Sequence, residues 1–148
     1  MINYETNSKL VKPGNIFIAI KGHTVDGHDY INDAIKNGAI KINAEKQVEC
    51  SVPLELVSST EEYLKETLQK EYSSLFQKLK IIGVTGTNGK TTTCYLTYQL
   101  LKKLGVKVAY MGTIGFFYEN IEKELSNTTP DMLTTYKLLT EALEKVKA

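Results

Sequence analysis

The chain divides at about residue 79 into two blocks of alternating apolar and polar segments. In the first block, Asn15-Ile16-Phe17-Ile18-Ala19-Ile20 is a continuous apolar run behind the turn Lys12-Pro13-Gly14, and it predicts a short buried strand. A polar loop over 21–28 follows, with Gly22 and Gly27 suited to tight turns or to close approach of a ligand. Residues 29–37 predict a helix with Tyr30, Ile31, Ala34 and Ile35 on its inner side and Gly38 as its stop. Residues 39–44 predict a strand in which Lys41 and Asn43 alternate with apolar positions, the pattern of a strand nearer an edge than the centre. A third strand is expected at Leu54-Glu55-Leu56-Val57. Ser59-Thr60-Glu61-Glu62 then fits a capping box for a helix over 60–72 with Leu64, Leu68 and Tyr72 facing inward. Residues 73–78 read as a linker.

The second block opens on Ile81-Ile82-Gly83-Val84-Thr85-Gly86-Thr87-Asn88-Gly89-Lys90-Thr91-Thr92-Thr93, an apolar strand running into a Gly-rich turn and then a helix. Cys94, Leu96, Leu100, Leu101 and Leu104 continue at helical spacing as far as Gly105. Residues 106–111 predict the next strand, broken by Gly112-Thr113-Ile114-Gly115, and Phe116-Phe117-Tyr118 a short one after it. Met132, Tyr136, Leu139, Leu143 and Val146 lie on one face of a closing helix. The fold class is therefore α/β, with a small N-terminal α/β domain over 1–79 and the first part of a P-loop mononucleotide-binding α/β domain over 80–148. Between Lys80 and Ala148 there is room for two or three strands and two helices, whereas such domains close a sheet of about five strands.

The strand, turn and helix in that order carry phosphate chemistry. Gly86 and Gly89 tolerate positive φ and let backbone N–H groups curl around anionic oxygens, and the helix N-terminus adds its own free N–H groups. Gly86, Thr87, Asn88, Gly89, Lys90, Thr91 and Thr92 are the candidate nucleotide-binding residues. Lys90 supplies a charge for the β- and γ-phosphates, and the Thr91 hydroxyl is placed to hold Mg²⁺. Val84 stands where the strict pattern has its first Gly, so this is a variant loop. No Asp or Glu after Thr91 follows an apolar run of four or more residues, so the usual second Mg²⁺ ligand is not found.

A net charge of +1 with dispersed lysines argues against nucleic acid or an anionic membrane as the main partner. No apolar run approaches the about 18 residues needed to cross a bilayer, and the N-terminus has no basic segment leading into an apolar one. With two cysteines, Cys50 and Cys94, read as reduced thiols, a cytoplasmic location is expected. His23 and His28 lie in a Gly-rich turn without a third ligand at a usual spacing, which favours a surface or ligand-contacting loop over a metal pair.

Three stretches together resemble the Mur ligases of peptidoglycan synthesis, within them the tripeptide-forming branch. They are residues 11–31 with Lys12-Pro13-Gly14 and His23-Thr24-Val25-Asp26-Gly27-His28, the loop Gly86-Thr87-Asn88-Gly89-Lys90-Thr91-Thr92, and Asn127-Thr128-Thr129-Pro130-Asp131. The resemblance implies an N-terminal domain that binds UDP, with Ser8, His23, Thr24 and Val25 lining the uridine site. It implies Asn127, Thr128 and Thr129 against the muramoyl sugar or its peptide, and ATP with Mg²⁺ at the P-loop, Lys90 and Thr91 being the catalytic pair. The implied substrates are UDP-N-acetylmuramoyl-dipeptide and ATP. The family's Asp-Ser-Arg is here Asn7-Ser8-Lys9, which keeps the hydroxyl and gives up a bidentate donor.

The family's Mg²⁺-binding Glu, its carbamylated Lys and its amino-acid-selecting C-terminal domain have no counterpart in these residues. The expectation is that the 148 residues alone do not catalyse ligation, and that the second unit is either ordered by itself or covers an open sheet edge by self-association. The alternatives are a non-catalytic UDP-sugar-binding module and the related D-Ala-D-Ala-adding ligase. Without the family, Thr129 and Pro130 read as a helix N-cap and first position, and His23-Thr24-Val25-Asp26-Gly27 as a plain turn.

Overall fold

The computed structural model describes residues 3–22, 25–125 and 130–147. The chain forms two compact units, Met1–Ser73 and Ser74–Ala148.

The first unit is built on a parallel four-stranded sheet in the order β1 (Tyr4–Glu5), β2 (Ile16–Ile18), β3 (Lys41–Ala44) and β4 (Leu54–Leu56). Parallel strands need crossovers, and these place helices on the faces. The register sets Phe17 beside Ile42, and these two pack with Ala19, Ala44, Ile31 and Ala34, the last two from α1 (Ile31–Lys36). On the opposite face α2 (Thr60–Phe76) buries Leu64 and Leu68 and sends Tyr63 to hydrogen-bond Glu55.

Four expectations change here. β3 is an interior strand, not an edge. Of its polar positions only Asn43 is buried: Glu55 accepts from Asn43 at 2.9 Å and bridges the half-exposed Lys41 at 2.6 Å, so the alternation marks a polar cluster on a partly covered face. The helix expected from residue 29 begins as a 3-10 turn, Gly27–Tyr30, which turns Tyr30 outward, and only Ile31–Lys36 is α-helical. The linker over 73–78 is largely helical, because α2 continues to Phe76. Its N-terminus is capped as expected, with Ser59 Oγ accepting from the Glu62 N–H at 3.3 Å.

In the second unit, α3 (Lys90–Lys103) leads to an antiparallel sheet of β5 (Ala109–Gly112), β6 (Gly115–Tyr118) and β7 (Ile121–Lys123), closed by α4 (Met132–Lys147). Period-two alternation divides the sheet. Tyr110 and Phe117 stack at 5.6 Å and meet Tyr95 and Tyr98 of α3, while Phe116 and Tyr118 pack with Leu138 and Ala142 of α4.

The segment expected to be the P-loop strand is not a strand. Ile81 and Ile82 are 67% and 69% exposed, and β5 pairs with β6 through the tight Gly112 to Gly115 turn. α3 packs through Tyr98, with Cys94 and Leu101 half-buried, so Leu96, Leu100 and Leu104 face outward, against expectation. β7 is an addition that the sequence pattern does not show. α4 buries Leu133, Leu138, Thr140, Ala142 and Leu143, a broader face than the one expected, and the Val146 side chain lies outside the described residues.

Candidate functional site

The phosphate-loop geometry is made locally. Gly86 and Gly89 adopt φ of 150° and 77°, conformations that an L side chain resists, and they turn the chain from residues 81–85 into α3. Gly89 is the N-cap of α3 and carries no side chain, so no internal cap occupies the first-turn N–H groups. They are left for an outside acceptor, and the helix dipole makes an anion the favoured one. Lys90 opens the helix and folds back over the loop, its Nζ 2.6 Å from Gly86 O and 3.4 Å from Thr87 O. The ammonium is thus held against the carbonyls of the loop. Asn88 and Thr92 are exposed along the same stretch.

Thr91 points its hydroxyl at Thr113 Oγ1 in the β5–β6 turn, 3.3 Å away. A hydroxyl that gives its proton to a neighbour keeps a lone pair for a cation. Among the described residues no group of three or more His, Cys, Asp or Glu gathers to hold a metal. The donor set therefore fits Mg²⁺ held by one protein oxygen, with phosphate and water completing the shell, the usual habit of this ion. A pocket of about 160 Å³ behind the loop is lined by Ile82, Val84, Cys94, Tyr98, Leu101 and Tyr110 among others. It includes none of the loop residues 86–90.

In the first unit, Ser8 is 6% exposed and opens a short 3-10 turn capped by Asn7, whose Oδ1 accepts from the Lys9 N–H at 3.0 Å. The Ser8 carbonyl accepts from Asn37 Nδ2 at 2.8 Å, which ties this turn to the end of α1. Val25 is exposed at the rim of a turn closed by the Lys21–Asp26 bridge and by Gly22 N–H donating to Val25 O at 3.0 Å. His23, Thr24, Asn127, Thr128 and Thr129, the other expected substrate contacts, lie outside the described residues.

The N-cap expected at Thr129 is taken by Asp131 instead. Its Oδ1 accepts from the Thr134 N–H at 2.9 Å and its Oδ2 from the Thr134 hydroxyl at 2.7 Å, because a carboxylate caps a helix start at least as well as a hydroxyl. His28, expected in a surface or ligand-contacting loop, is buried in a network with Asp26, Glu45 and Thr60. The Asp-Gly-His spacing, an Asx-type turn in which Asp26 Oδ1 takes the His28 N–H at 3.0 Å, was the signal available for it. His28 N–H first and its ring second hold the Asp26 carboxyl down at about 2. Cys50 and Cys94 are free and half-buried. No helix among the described residues is long and apolar enough to cross a membrane.

Comparison with known proteins places this geometry. The family model described as the Mur ligase family, catalytic domain, matches residues 3–74, and that of the Mur ligase middle domain matches residues 84–148. The chain is similar to the UDP-N-acetylmuramoyl-L-alanyl-D-glutamate–2,6-diaminopimelate ligases of Bacillus licheniformis, 36% identical over 95% of this chain, and of Aquifex aeolicus, 40% identical over 93%. It spans 29% of the length of each of them. A solved structure of such a diaminopimelate ligase superposes with TM-score 0.72 at 25% identity, over 98% of this chain and 30% of that one. The MurF ligase of Thermotoga maritima in complex with ADP superposes with TM-score 0.53 at 40% identity, over 68% of this chain and 23% of that one. With its two compact units covered by two successive models of one family, the chain belongs to the Mur ligases.

Proposed function

We propose that these residues are the UDP-substrate-binding unit and the first part of the ATPase unit of an ATP-dependent amide ligase. The parent enzyme would add the third amino acid to UDP-N-acetylmuramoyl-L-Ala-D-Glu in peptidoglycan synthesis. The observation that carries this reading is the loop at residues 86–91, with two glycines at positive φ, an uncapped helix start and Lys90 folded back onto the Gly86 carbonyl. The ADP-bound state of a relative and the names of the diaminopimelate ligases support it.

A carboxylate is a poor electrophile, so the ligation needs it converted to an acyl phosphate, from which phosphate leaves when the amine attacks. This chain's part is to bind and orient. The N–H groups of residues 86–92 hold the phosphates, and Lys90 turns from Gly86 O to the terminal phosphoryl, where charge moves during transfer. Thr91 would hold Mg²⁺, which neutralises phosphate charge when bound. Ser8, His23, Thr24 and Val25 would line the uridine site, with Asn127, Thr128 and Thr129 on the sugar or peptide. On this reading residues 1–79 form the UDP domain, residues 80–148 begin the ATPase domain, and the cell's cytoplasm is the site of action. The isolated chain is expected to be inactive in ligation.

A second reading, a UDP-sugar-binding module without catalysis, is favoured by the exposed, unpaired segment of residues 81–84. Titration calorimetry with UDP-N-acetylmuramoyl-L-Ala-D-Glu, and separately with Mg²⁺-ATP, tests both. We expect UDP-ligand binding weakened in Ser8→Ala and ATP binding lost in Lys90→Ala. UDP-ligand binding without ATP binding would favour the module, and a folded chain that binds neither would sink both readings.

A further inference from the structure

Aromatic packing brings the start of α3 to the tip of the β5–β6 hairpin. Tyr95 meets Tyr110 edge-on at 5.8 Å and Phe117 at 5.9 Å, and the buried Tyr98 lies against the same two rings. Thr91 stands four residues before Tyr95, so it projects from the same side of the helix, one turn nearer its start. Gly112 pairs with Gly115, which leaves Thr113 and Ile114 as the two residues of the hairpin tip. With α3 docked through Tyr95, the half-buried Thr91 reaches this tip, and its Oγ1 lies 3.3 Å from Thr113 Oγ1.

The tip is itself held in place. The Ile114 N–H donates to the hydroxyl of Tyr110, a residue only 4% exposed. That hydroxyl reaches back to the tip because residue 112 has no side chain: a Cβ there would lie 2.8 Å from Tyr110 Cζ and would run into the Tyr110 oxygen. The Tyr110 ring cannot swing aside, since Tyr95, Tyr98 and Phe117 surround it. Thr113, whose side chain is exposed, therefore sits on a fixed backbone between the Gly112 to Gly115 pair and the bonded Ile114 N–H.

A hydroxyl has one proton and two lone pairs, and in the protein without a ligand either threonine can be the donor. Thr91 Oγ1 can hold a cation only with its own proton turned away from the positive charge. The acceptor within reach of that proton is Thr113 Oγ1. We propose that Thr113 is a positioning residue for the cation that accompanies the nucleotide: by accepting the Thr91 proton it frees the Thr91 lone pairs for the ion, and it strengthens nucleotide binding only when the ion is present. This inference rests on the nucleotide reading proposed above. The phosphate-loop pattern has no position for such a partner, because Thr113 lies 22 residues further along the chain and reaches Thr91 through the packing of α3 on the hairpin. A role confined to shaping the tip would act on the nucleotide with and without the ion alike.

Titration calorimetry of the 148-residue chain with ATP, once in EDTA and once in excess Mg²⁺, gives the factor by which the ion strengthens binding. Partners that orient a metal ligand change ion affinity by about 10–100-fold, and an exposed bond that water partly replaces belongs at the lower end. Thr113→Val keeps the branched shape and removes the oxygen. It should cut the ion's factor about tenfold and leave ATP binding in EDTA as in the wild type. Thr113→Ser keeps the acceptor and should restore the factor. In Thr91→Val the ion has lost its protein oxygen, so adding Thr113→Val should change nothing further. Equal losses with and without Mg²⁺ in Thr113→Val would make Thr113 a structural residue of the tip, and a further loss in the double variant would show that it acts without Thr91. Either result overturns the proposal. A wild type that binds ATP equally in both conditions overturns it and leaves the nucleotide reading standing, whereas ATP binding in neither condition overturns that reading and this proposal together.

Discussion

Replacing Gly38 by Ala tests how the Lys12-Pro13-Gly14 turn is seated on the end of α1. Gly38 has φ +106, and a Cβ there would lie 2.7 Å from Pro13 Cα, 2.9 Å from Pro13 N and 3.1 Å from Pro13 Cγ. Two of these three atoms are backbone and cannot swing away. The same contact is fastened by Gly14 N–H donating to Gly38 O at 3.1 Å, so the turn cannot retreat without breaking that bond. Gly14 provides the control, since it has φ +93 and nothing within 4 Å of its Cβ position. Both substitutions strain a positive φ, at about 1 kcal/mol or slightly more, and both gain a few tenths of a kcal/mol from a stiffer unfolded chain. Only Gly38→Ala adds overpacking, about 1–3 kcal/mol. The expected costs are therefore about 1 kcal/mol for Gly14→Ala and about 2–4 kcal/mol for Gly38→Ala. Urea denaturation followed by far-ultraviolet circular dichroism reads both, with the slope held common to the variants. If Gly38→Ala costs no more than Gly14→Ala, the close approach of Pro13 to Gly38 is not part of the folded state and the seating argument is wrong.

Two pH-linked outcomes are expected as well. Asp26 sits at about 2 in place of its ordinary 3.8, so its stabilising contribution is complete above about pH 4 and is lost as pH falls through about 2. Asp26→Asn should lower stability at pH 7 by on the order of 1–2 kcal/mol, after allowing for solvent at a partly exposed carboxylate, and should flatten the acid limb of a urea-midpoint profile. An unchanged acid limb would rule out this carboxylate as its source. Burial first, and then its hydrogen bond to Glu141 at 2.8 Å, push Tyr118 up to about 12. A raised value stabilises fully below the ordinary value of about 10 and is lost as pH rises through about 12. Tyr118→Phe should therefore cost about 1 kcal/mol at pH 7 and less at pH 11, where the wild type is itself weakened. Equal midpoints for the two proteins at pH 7 would show that the hydroxyl contributes nothing.

The sequence by itself determined what neighbouring residues decide among themselves. Gly86 and Gly89 at positive φ, the helix beginning at Lys90, the Ser59 cap of α2, the β2 strand and the break at Gly112 to Gly115 all follow from local sterics and local hydrogen bonds. The loop at residues 86–91 was legible for that reason. Tertiary structure alone decided which face of each element is buried and what each polar group meets. β3 is central, and Glu55, twelve residues from Asn43, accepts from the Asn43 amide that this burial encloses. His28 is buried because Asp26 and the Glu45 N–H serve both of its nitrogens. α3 turns Tyr98 inward and Leu96 outward because Tyr110 and Phe117 offer aromatic partners on one side only. Residues 81–84 lie exposed although β5 keeps one edge free, a choice that their apolar run does not encode. Apolar periodicity states that a residue can be buried, whereas the partner that buries it comes from elsewhere in the chain, and no local pattern encodes that choice.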